Sequence, residues 1–404
     1  MTKRILIVTE YFYPEEFKIN EVALEWKNKG YEVDILTQNP TYPHGKVFDN
    51  FQNKWFSKEF FEGMTVYKVK AITGYKTSLL KKLLKYFSFM VLGSIVSLKI
   101  GKRYDYIFGF DVGALTGMVP AIILKQFYKK PVTLWVQDVW PDSVYAYGFK
   151  KTKILEFFLN KFVKYIYKNT SNFAISAKGF EEKIKLYLDK PKEILYAPNW
   201  ADDFNTSLIE YSFSNEKKIH FTFAGNIGKV QNLDNIILAF YKLEKVDSEK
   251  AQLNIIGDGS HLDGLKRLVE EKKIKNIIFH GRKLRDDMYM YFKGSNFLIV
   301  SLEDQPIFSL TVPAKTQTYI AAKKPIIGIL NGEAAKIIEE NNLGYVSSPN
   351  DIESITNTFK KAIDTNSLKI EQFTKNSEEI TKTIFDKNNI VNTLLDLLKQ
   401  KDIT

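Results

Sequence analysis

One lysine in the C-terminal half has neighbours that could help to hold an anion. Lys315 lies in SLEDQPIFSLTVPAKTQTYIAAKKPIIG, residues 301–328, where a polar loop leads into a predicted helix and then an apolar strand. A helix N-terminus presents unpaired backbone N–H groups and a positive dipole end, which together favour a phosphate. The alternative is that Pro313 simply begins the helix and Lys315 is a solvated residue of its first turn. The loop residues before the helix are Ser309, Leu310, Thr311, Val312 and Pro313.

A glycine-containing loop is the second candidate phosphate site. The stretch FTFAGNIGKVQNLDNIILAF, residues 221–240, predicts a strand, a loop with Gly225 and Gly228, and a helix from Leu233. Glycines let a ligand approach the main chain closely, and the helix directs its N–H groups at the loop. The G-x-x-G spacing is short of a dinucleotide fingerprint, and no P-loop is present, so a structural turn is the alternative. Polar residues in this loop are Asn226, Lys229 and Gln231.

Two further polar loops follow strands of the same half. IIGDG, residues 255–259, contains Gly257 and Asp258, and FHGRKLRDDM, residues 279–288, contains Arg282. Ligands of open α/β sheets bind at the carboxyl ends of the strands. Four polar loops at one sheet edge therefore predict a ligand site.

Two acidic residues in the N-terminal half could take part in catalysis. Asp138 lies in LWVQDVWPDSV, residues 134–144, and Glu15 lies in YFYPEE, residues 11–16. Two carboxylates that converge on one bond would suit a glycoside hydrolase. That reading is disfavoured, because it leaves the phosphate-type loops without a role. For Asp138 the alternative is a hydrogen-bonded structural carboxylate.

Basic residues are concentrated in the N-terminal half. Residues 1–200 contain 31 Lys and Arg against 19 Asp and Glu, whereas residues 201–404 contain 27 against 28. No acidic residue lies between Glu62 and Asp105, where the apolar run YFSFMVLGSIVSLKI is too short for a bilayer-spanning helix of about 20 residues. This favours an element lying on an anionic membrane, with a core helix beside solvated lysines as the alternative. The expected membrane or acceptor contacts are Lys81, Lys82, Lys85, Lys102 and Arg103.

Composition excludes several other kinds of site. The chain has 404 residues, 45% of them hydrophobic, and no cysteine, which excludes disulfides and zinc–thiolate centres. Its four histidines are far apart in sequence, which argues against a histidine metal cluster. No nucleic-acid recognition motif is evident. The N-terminal apolar run ILIV is too short for a secretory signal, so we expect a cytoplasmic protein.

Apolar runs alternate with helical patterns along the whole chain, which is typical of parallel sheets covered by helices. We predict an α/β fold with two doubly wound Rossmann-like domains that face a central cleft. The predicted domains are residues 1–200 and 201–380, and a helix in 381–404 is expected to cross back to the first domain. The predicted strands are 4–10, 31–38, 64–70, 104–110, 131–138, 172–176 and 193–199, then 219–225, 251–259, 276–281, 296–302, 325–330 and 344–348.

These motifs together resemble the family 4 glycosyltransferases of the GT-B type. The resemblance is closest to bacterial capsule and O-antigen enzymes that transfer N-acetylated deoxysugars such as L-N-acetylfucosamine. It covers nearly the whole chain, and each motif alone is modest. The motifs that carry it are YFYPEE, NPTYPHG, LWVQDVWPDSV, YAPNWAD, FAGNIGKVQNLDNII and VPAKTQTYIAAKKPIIG.

The resemblance implies a UDP-sugar donor in the C-terminal domain and a polyprenyl-diphosphate-linked acceptor in the N-terminal domain. It also implies retaining transfer without a bound metal or other cofactor, on the inner face of the cell membrane. The implied catalytic residues are Asp138, Glu15 and Lys315. The implied donor-binding residues are Gly225, Asn226, Gly228, Lys229, Gln231, Gly257, Asp258, Arg282, Ser309, Leu310, Thr311, Val312 and Pro313.

The sequence departs from the family pattern at four positions. Asn226 and Gln231 replace an arginine and a lysine, and Leu310 and Thr318 replace two glutamates, one of which binds ribose. The resemblance then implies that neutralisation of the diphosphate shifts to Lys229 and Lys315. The alternatives in other functional classes are a nucleotide-sugar epimerase or hydrolase on the same fold, and a non-catalytic glycan-binding scaffold.

Overall fold

The computed structural model describes residues 2–75, 79–146, 149–201, 204, 207–213, 217–247 and 250–400. Backbone contacts divide the chain into two compact units. The first unit comprises Met1–Pro198 and Asn388–Thr404, and the second comprises Asn199–Lys387. Sequence patterning placed the corresponding boundaries at residues 200 and 380.

The first unit is built on an eight-stranded sheet in the order β3-β4-β2-β1-β5-β6-β7-β8. All neighbouring strands are parallel except β3, which runs antiparallel to β4 at the edge of the sheet. The elements are β1 Arg4–Thr9, α1 Lys18–Asn28, β2 Glu32–Gln38, β3 Phe56–Phe61, β4 Met64–Val69, α2 Leu79–Ile100, β5 Tyr106–Asp111, α3 Val119–Tyr128, β6 Val132–Val136, α4 Asp142–Ala146, α5 Lys153–Asn169, β7 Asn172–Ile175, α6 Phe180–Lys185 and β8 Ile194–Tyr196.

The inner strands of this sheet form because their sequences are apolar on both faces. In β1 every residue from Ile5 to Thr9 is buried, and β6 is buried along its whole length. Helices on both faces of a parallel sheet account for that pattern. The crossovers from β4 through α2 to β5, from β5 through α3 to β6, and from β6 through α5 to β7 all run in one direction along the sheet. Right-handed crossovers put these three helices on the same face.

The second unit contains a six-stranded parallel sheet in the order β11-β10-β9-β12-β13-β14. Two apolar clusters cover it, and each includes residues of the strands and of the helices. The elements are β9 Ile219–Ala224, α7 Leu233–Asp247, β10 Ala251–Ile256, α8 Leu262–Lys272, β11 Ile277–Gly281, α9 Met288–Gly294, β12 Phe297–Ser301, α10 Ala314–Ala321, β13 Ile326–Ile329, α11 Glu333–Glu340, β14 Gly344–Ser347, α12 Ile352–Ile363 and α13 Ser367–Thr383.

The last helix, α14 Lys387–Lys399, lies with the first unit. Its apolar residues Ile390, Leu394 and Leu397 are buried. Trp26 Nε1 donates to Val391 O at 3.3 Å, and Asn172 Nδ2 donates to Leu397 O at 3.1 Å. The second unit extends beyond the predicted boundary at 380, because Ile380 and Phe385 remain in its apolar core.

Candidate functional site

The loops that follow β9, β10 and β11 are joined by backbone hydrogen bonds. Gly225 N donates to Ile256 O and Ile227 N donates to Asp258 O, both at 2.9 Å, and Gly257 N donates to Gly281 O at 2.9 Å. Because these strands are parallel neighbours, their carboxyl ends meet at one edge of the sheet. Three of the loops singled out in the sequence therefore lie together.

Two glycines in these loops are required by the backbone. Gly225 and Gly257 have φ values of +131° and +141°, which side chains of L-residues rarely adopt. A Cβ at Gly257 would lie 1.8 Å from Gly225 O, so the two loops could not approach as they do with any other residue there. The predicted role of these glycines in close main-chain approach fits this geometry.

Lys315 reaches the same loops from the start of α10. A Cβ at Gly225 would lie 2.6 Å from Lys315 Cε and 3.0 Å from Nζ, which places the ammonium beside the glycine loop. Nζ also lies 3.6 Å from the centre of the Phe223 ring. No carboxylate or hydrogen-bond acceptor of the described residues pairs with it. Burial lowers the pKa of Lys315 to about 7.

The remaining predicted donor-binding residues differ in their exposure to solvent. Asn226, Lys229, Asp258 and Arg282 are exposed to solvent. Gln231 is committed to its own loop, where its Oε1 accepts from Gly228 N at 2.9 Å. The loop residues Ser309, Leu310, Thr311, Val312 and Pro313 are all partly exposed and lead directly into α10.

Thr318, which stands where the family pattern has a glutamate, forms a hydrogen bond within α10. Its Oγ1 donates to Ala314 O at 3.0 Å, one turn earlier in the helix. This hydroxyl bond is internal to α10. Lys315 lies beside Gly225, whereas the side chain of Lys229 is exposed to solvent.

One polar pair in the second unit was missed by the sequence analysis. His261 Nε2 lies 2.7 Å from Asp234 Oδ2, and His261 N donates to Ile227 O at 3.0 Å. These residues join the loop after β10 to the first turn of α7. The signal in the sequence was weak, because the two residues are 27 positions apart and belong to different motifs.

The first unit carries three carboxylates at the carboxyl ends of neighbouring strands. Glu10 follows β1, Asp111 ends β5 and Asp138 follows β6, and these strands are adjacent in the sheet. From β1 the chain continues to β2 on one side, whereas from β5 it continues to β6 on the other side. Open α/β sheets bind ligands at such a switch in strand order. Burial raises the pKa of Asp111 well above its usual range, and the nearby Asp138 and Glu10 charges add to this effect.

Glu10 is paired with a buried lysine. Lys85 Nζ lies 4.0 Å from Glu10 Oε2, donates to the Tyr11 hydroxyl, and lies 4.4 Å from the centre of the Tyr75 ring. Burial raises the pKa of Glu10 to about 7, although the Lys85 ammonium acts in the opposite direction. Neither oxygen of the Glu10 carboxyl accepts a hydrogen bond from a described residue. Lys85 is buried and therefore not available for the predicted membrane contact, whereas a contact with the acceptor stays a prediction.

Lys85 and Asp138 both line a cavity of about 370 Å³ in the first unit. Its wall is largely aromatic, with two polar side chains of opposite charge. An aromatic wall with a few polar groups is typical of a site for a small organic ligand or sugar. The aromatic lining residues are Tyr11, Phe17, Tyr42, Tyr75 and Tyr86.

Glu15 does not have the environment expected of a catalytic group. Its carboxylate is buried and accepts from Thr41 N at 2.8 Å, Tyr42 N at 2.7 Å and Phe12 N at 3.3 Å. Burial raises the pKa of Glu15 to about 7, and these backbone N–H groups limit the increase. The side chain holds two loops together, which favours a structural role over the predicted catalytic one.

The other basic residues predicted to contact the membrane or the acceptor differ in their surroundings. Lys81 and Lys102 are exposed, and the side chain of Lys82 lies outside the described residues. Arg103 donates to Asp34 Oδ2 at 2.9 Å and to the Tyr104 hydroxyl at 2.6 Å, so its guanidinium belongs to a local network. A membrane role for Arg103 is therefore not supported by its contacts.

Helix α2 combines buried and exposed apolar residues. The stretch Leu83–Arg103 is long and apolar enough to cross a membrane, a test that core helices also pass. One side of α2 is bonded to its own unit, because Thr116 Oγ1 donates to Tyr86 O at 2.7 Å and Tyr128 Oη donates to Leu98 O at 2.6 Å. The opposite side leaves Leu84, Phe87, Val91 and Ile95 exposed.

Comparison with known proteins finds similarity to glycosyltransferases. Residues 205–380 match the family described as glycosyl transferases group 1. The chain is 28% identical over 253 residues to the probable glycosyltransferase WbjE of Pseudomonas aeruginosa, a match that covers 59% of this chain and 62% of that relative. It is 23% identical over 301 residues to the putative colanic acid biosynthesis glycosyl transferase WcaI of Escherichia coli K12, covering 68% and 71%. The match thus spans less than two thirds of the first relative.

A solved structure shares the fold over the whole chain. The Escherichia coli trehalose-6-phosphate structure bound with UDP-2-fluoro glucose aligns with a TM-score of 0.72 at 11% identity, covering 99% of this chain and 100% of that one. At this identity the likeness establishes the fold. The α/β architecture with two Rossmann-like domains of the GT-B type is therefore confirmed.

Proposed function

We propose that the protein is a retaining glycosyltransferase that uses a UDP-sugar as donor. The sugar is an N-acetyl-deoxyhexosamine, with L-N-acetylfucosamine favoured, and the acceptor is a polyprenyl-diphosphate-linked glycan of capsule or O-antigen synthesis. The match of residues 205–380 to group 1 glycosyl transferases supports transfer chemistry. The names of both relatives support glycosyl transfer, and that of the second, a colanic acid biosynthesis glycosyl transferase, supports a role in polysaccharide synthesis.

The observation that carries the proposal is the position of Lys315. Its ammonium lies beside the glycine loop at Gly225, at the carboxyl edge of a parallel sheet, and it has no internal partner among the described residues. A diphosphate would supply the missing negative charge, and the solved structure that shares this fold holds a UDP-sugar analogue. Donor binding by the second unit follows from these two points.

The chemistry of transfer depends on charge that develops on the leaving group. Cleavage of the bond between sugar and phosphate leaves negative charge on the diphosphate while the sugar becomes oxocarbenium-like. Prepositioned cations and N–H groups lower this barrier, and Lys315 with the Gly225 loop would provide them. We infer that no metal ion is needed for this step.

The first unit would hold the acceptor. The cavity offers aromatic faces for a sugar ring, a carboxylate at Asp138 and an ammonium at Lys85. Asp138 would accept a hydrogen bond from the acceptor hydroxyl and so orient it. The basic N-terminal half and the exposed side of α2 support a peripheral position on the inner face of the cell membrane.

Calorimetric titration with UDP tests the donor site directly. We expect UDP to bind with and without added magnesium or manganese, and a radiolabelled UDP-sugar to label a lipid-linked acceptor with net retention. Failure of UDP to bind, or binding only with a divalent ion, would contradict the proposal. A free or epimerised sugar formed without acceptor would instead identify a hydrolase or epimerase, and absence of UDP binding would favour a glycan-binding scaffold.

A further inference from the structure

The segment that follows β10 packs against the glycine loop, residues 225–232. Ile227, in the middle of that loop, is fully buried, and both of its main-chain polar groups are bonded to this segment. Ile227 N donates to Asp258 O at 2.9 Å, and Ile227 O accepts from His261 N at 3.0 Å. Gly259 permits the approach, because a Cβ there would lie 2.3 Å from Ile227 O. The segment therefore fixes the main chain of the glycine loop at Ile227.

The side chain of His261 extends this contact to the helix that follows the loop. Its Nε2 lies 2.7 Å from Oδ2 of Asp234, in the first turn of α7. Only 19% of the His261 side chain is exposed, and a Cβ at Gly264, in the first turn of α8, would lie 3.2 Å from the ring. His261 thus connects two points. Its main chain binds the middle of the glycine loop at Ile227, and its ring binds the start of α7.

The start of α7 also has contacts that do not involve His261. Asn232 Nδ2 and Asn235 Nδ2 both donate to Pro349 O, at 2.7 Å and 2.8 Å. Leu233, the first residue of α7, is fully buried in an apolar cluster of the second unit. These contacts hold the helix itself. We therefore expect loss of the His261 ring to loosen the glycine loop and to leave α7 in place.

Two groups close to Ile227 are available to an anion. The N–H of Asn226 meets no acceptor among the residues that the structure describes. The ammonium of Lys315 lies beside Gly225 and has no charged partner in the same part of the chain. Main-chain N–H groups bind an anion best when their positions are fixed beforehand, because ordering a flexible loop on binding costs conformational entropy. The contacts that fix Ile227 therefore affect the affinity for an anion at Asn226 and Lys315.

We propose that His261 is a positioning residue for the donor, because it keeps the glycine loop in the conformation in which the Asn226 N–H and the Lys315 ammonium contact one diphosphate. The inference rests on the proposed function, in which this loop binds the UDP-sugar. His261 does not contact the phosphate in this assignment, and it acts through Ile227 and Asp234. Groups that contact a ligand are placed accurately only when the residues behind them hold them, and His261 occupies such a position.

Substitutions of the ring test the assignment through UDP binding. His261→Leu keeps the main-chain bond to Ile227 and removes the bond to Asp234, so the dissociation constant for UDP should rise about tenfold, as for the loss of one hydrogen bond to a charged group. His261→Gln, whose amide nitrogen can donate to Asp234, should bind UDP within about twofold of the unmodified protein. Equal weakening in both variants would contradict a role of this hydrogen bond.

The matched control lies at the far edge of the same sheet. Tyr345→Phe removes a 2.9 Å hydrogen bond between the Tyr345 hydroxyl and Thr365 Oγ1, on the edge strand β14. It should bind UDP like the unmodified protein. Weakening of UDP binding in this control equal to that in His261→Leu would mean that any lost hydrogen bond in the unit has the same effect, and the assignment would fail.

A double variant shows whether the two side chains act as a pair. Asp234→Ala should weaken UDP binding like His261→Leu, and the double variant should bind no more weakly than either single variant. The side chain of Asp234 is 44% exposed, so Asp234→Ala should fold even if His261→Leu does not. Unchanged UDP binding in Asp234→Ala, or losses that add in the double variant, would contradict the proposal.

Amide hydrogen exchange follows the loop in the absence of donor. The Ile227 amide should exchange faster in His261→Leu than in the unmodified protein and at the ordinary rate in His261→Gln, and the amides of α7 beyond its first turn should not change. If the unmodified protein binds UDP and His261→Leu binds it equally well, the inference fails and the proposed function stands. If the unmodified protein does not bind UDP, the proposed function fails and the inference fails with it.

Discussion

The two units each place a lysine at the carboxyl edge of their sheet, but the surroundings of these lysines differ. Lys85 in the first unit is buried with a carboxyl partner, Glu10, and with the Tyr11 hydroxyl. Lys315 in the second unit lies over an aromatic ring, and no described residue pairs with its charge. A charge that is neutralised internally serves the fold and the shape of a cavity. A buried positive charge that has no partner among the described residues is suited to binding an anionic ligand.

The largest expected effect is the loss of the internal pair. Lys85→Met leaves the Glu10 carboxyl buried without its partner, so the free energy of unfolding at pH 8 should fall by about 3 to 5 kcal/mol. The double variant Lys85→Met/Glu10→Gln should recover most of this loss. Urea denaturation of both variants measures it. A stability change below about 1 kcal/mol would mean that the pair contributes little, and the contrast between the two lysines would be lost.

The second prediction concerns the unpaired lysine. Lys315→Ala removes a charge-assisted contact to the donor diphosphate, worth roughly 1.5 to 3 kcal/mol, so UDP should bind about 10- to 150-fold more weakly. Calorimetric titration gives the dissociation constant. Lys323→Ala, whose exposed side chain pairs with Glu378, is the control and should bind UDP normally. Unchanged UDP affinity in the Lys315 variant would remove this residue from the donor site.

The third prediction is a pH dependence of donor binding. Because burial lowers the pKa of Lys315 to about 7, the free protein loses this proton between pH 7 and 9, and a bound diphosphate must restore it. The dissociation constant for UDP should therefore rise by up to about tenfold per pH unit in this range. Lys315→Met should make the dependence nearly flat. A flat profile in the unmodified protein would contradict the assignment.

The same residue affects stability in the absence of donor. The unfolded chain keeps the Lys315 proton up to its ordinary pKa of 10.5, whereas the folded chain releases it near pH 7. The unfolded state therefore binds more protons in that window, and the contribution of Lys315 makes the folded state more stable as the pH rises from 7 to 10.5. This contribution should be absent in Lys315→Met.

The smallest expected effect is that of a substitution at Glu15, and it distinguishes a structural carboxylate from a catalytic one. Glu15→Gln keeps an oxygen for the N–H groups of Thr41 and Tyr42 and loses the longer bond to Phe12. We expect a loss of about 0.5 to 1.5 kcal/mol in unfolding free energy and an unchanged kcat. Asp138→Asn is the comparison, and it should reduce kcat. A large fall in kcat for Glu15→Gln at unchanged stability would restore its catalytic role.

The strands of both sheets could be predicted because buried parallel strands are continuous apolar runs. The exception is β3, Phe56–Phe61, whose alternating FSKEFF sequence was not recognised as a strand. Its residues alternate between more and less exposed, as expected for an edge strand with few burial constraints. An edge strand is defined largely by its pairing with one neighbour, which here is β4, the next strand along the chain across the turn at Glu62 and Gly63.

The sites were predicted unevenly for a physical reason. The glycine loop and Lys315 stand out because backbone conformation and helix starts have local signals. Lys85 was assigned to the wrong side of α2, because this helix is apolar on both sides and its sequence does not tell which one is buried. Glu10 and Asp111 follow apolar strands directly, in ILIVTE and IFGFD, and this position was the signal that could have identified them.

The return of α14 to the first unit affects the order in which the protein can be completed during synthesis. Trp26 and Asn172 receive their partners Val391 and Leu397 only after the intervening second unit has left the ribosome. The second unit, Asn199–Lys387, is continuous in sequence and can close earlier. The unit that is translated first is thus finished last, when α14 has been synthesised.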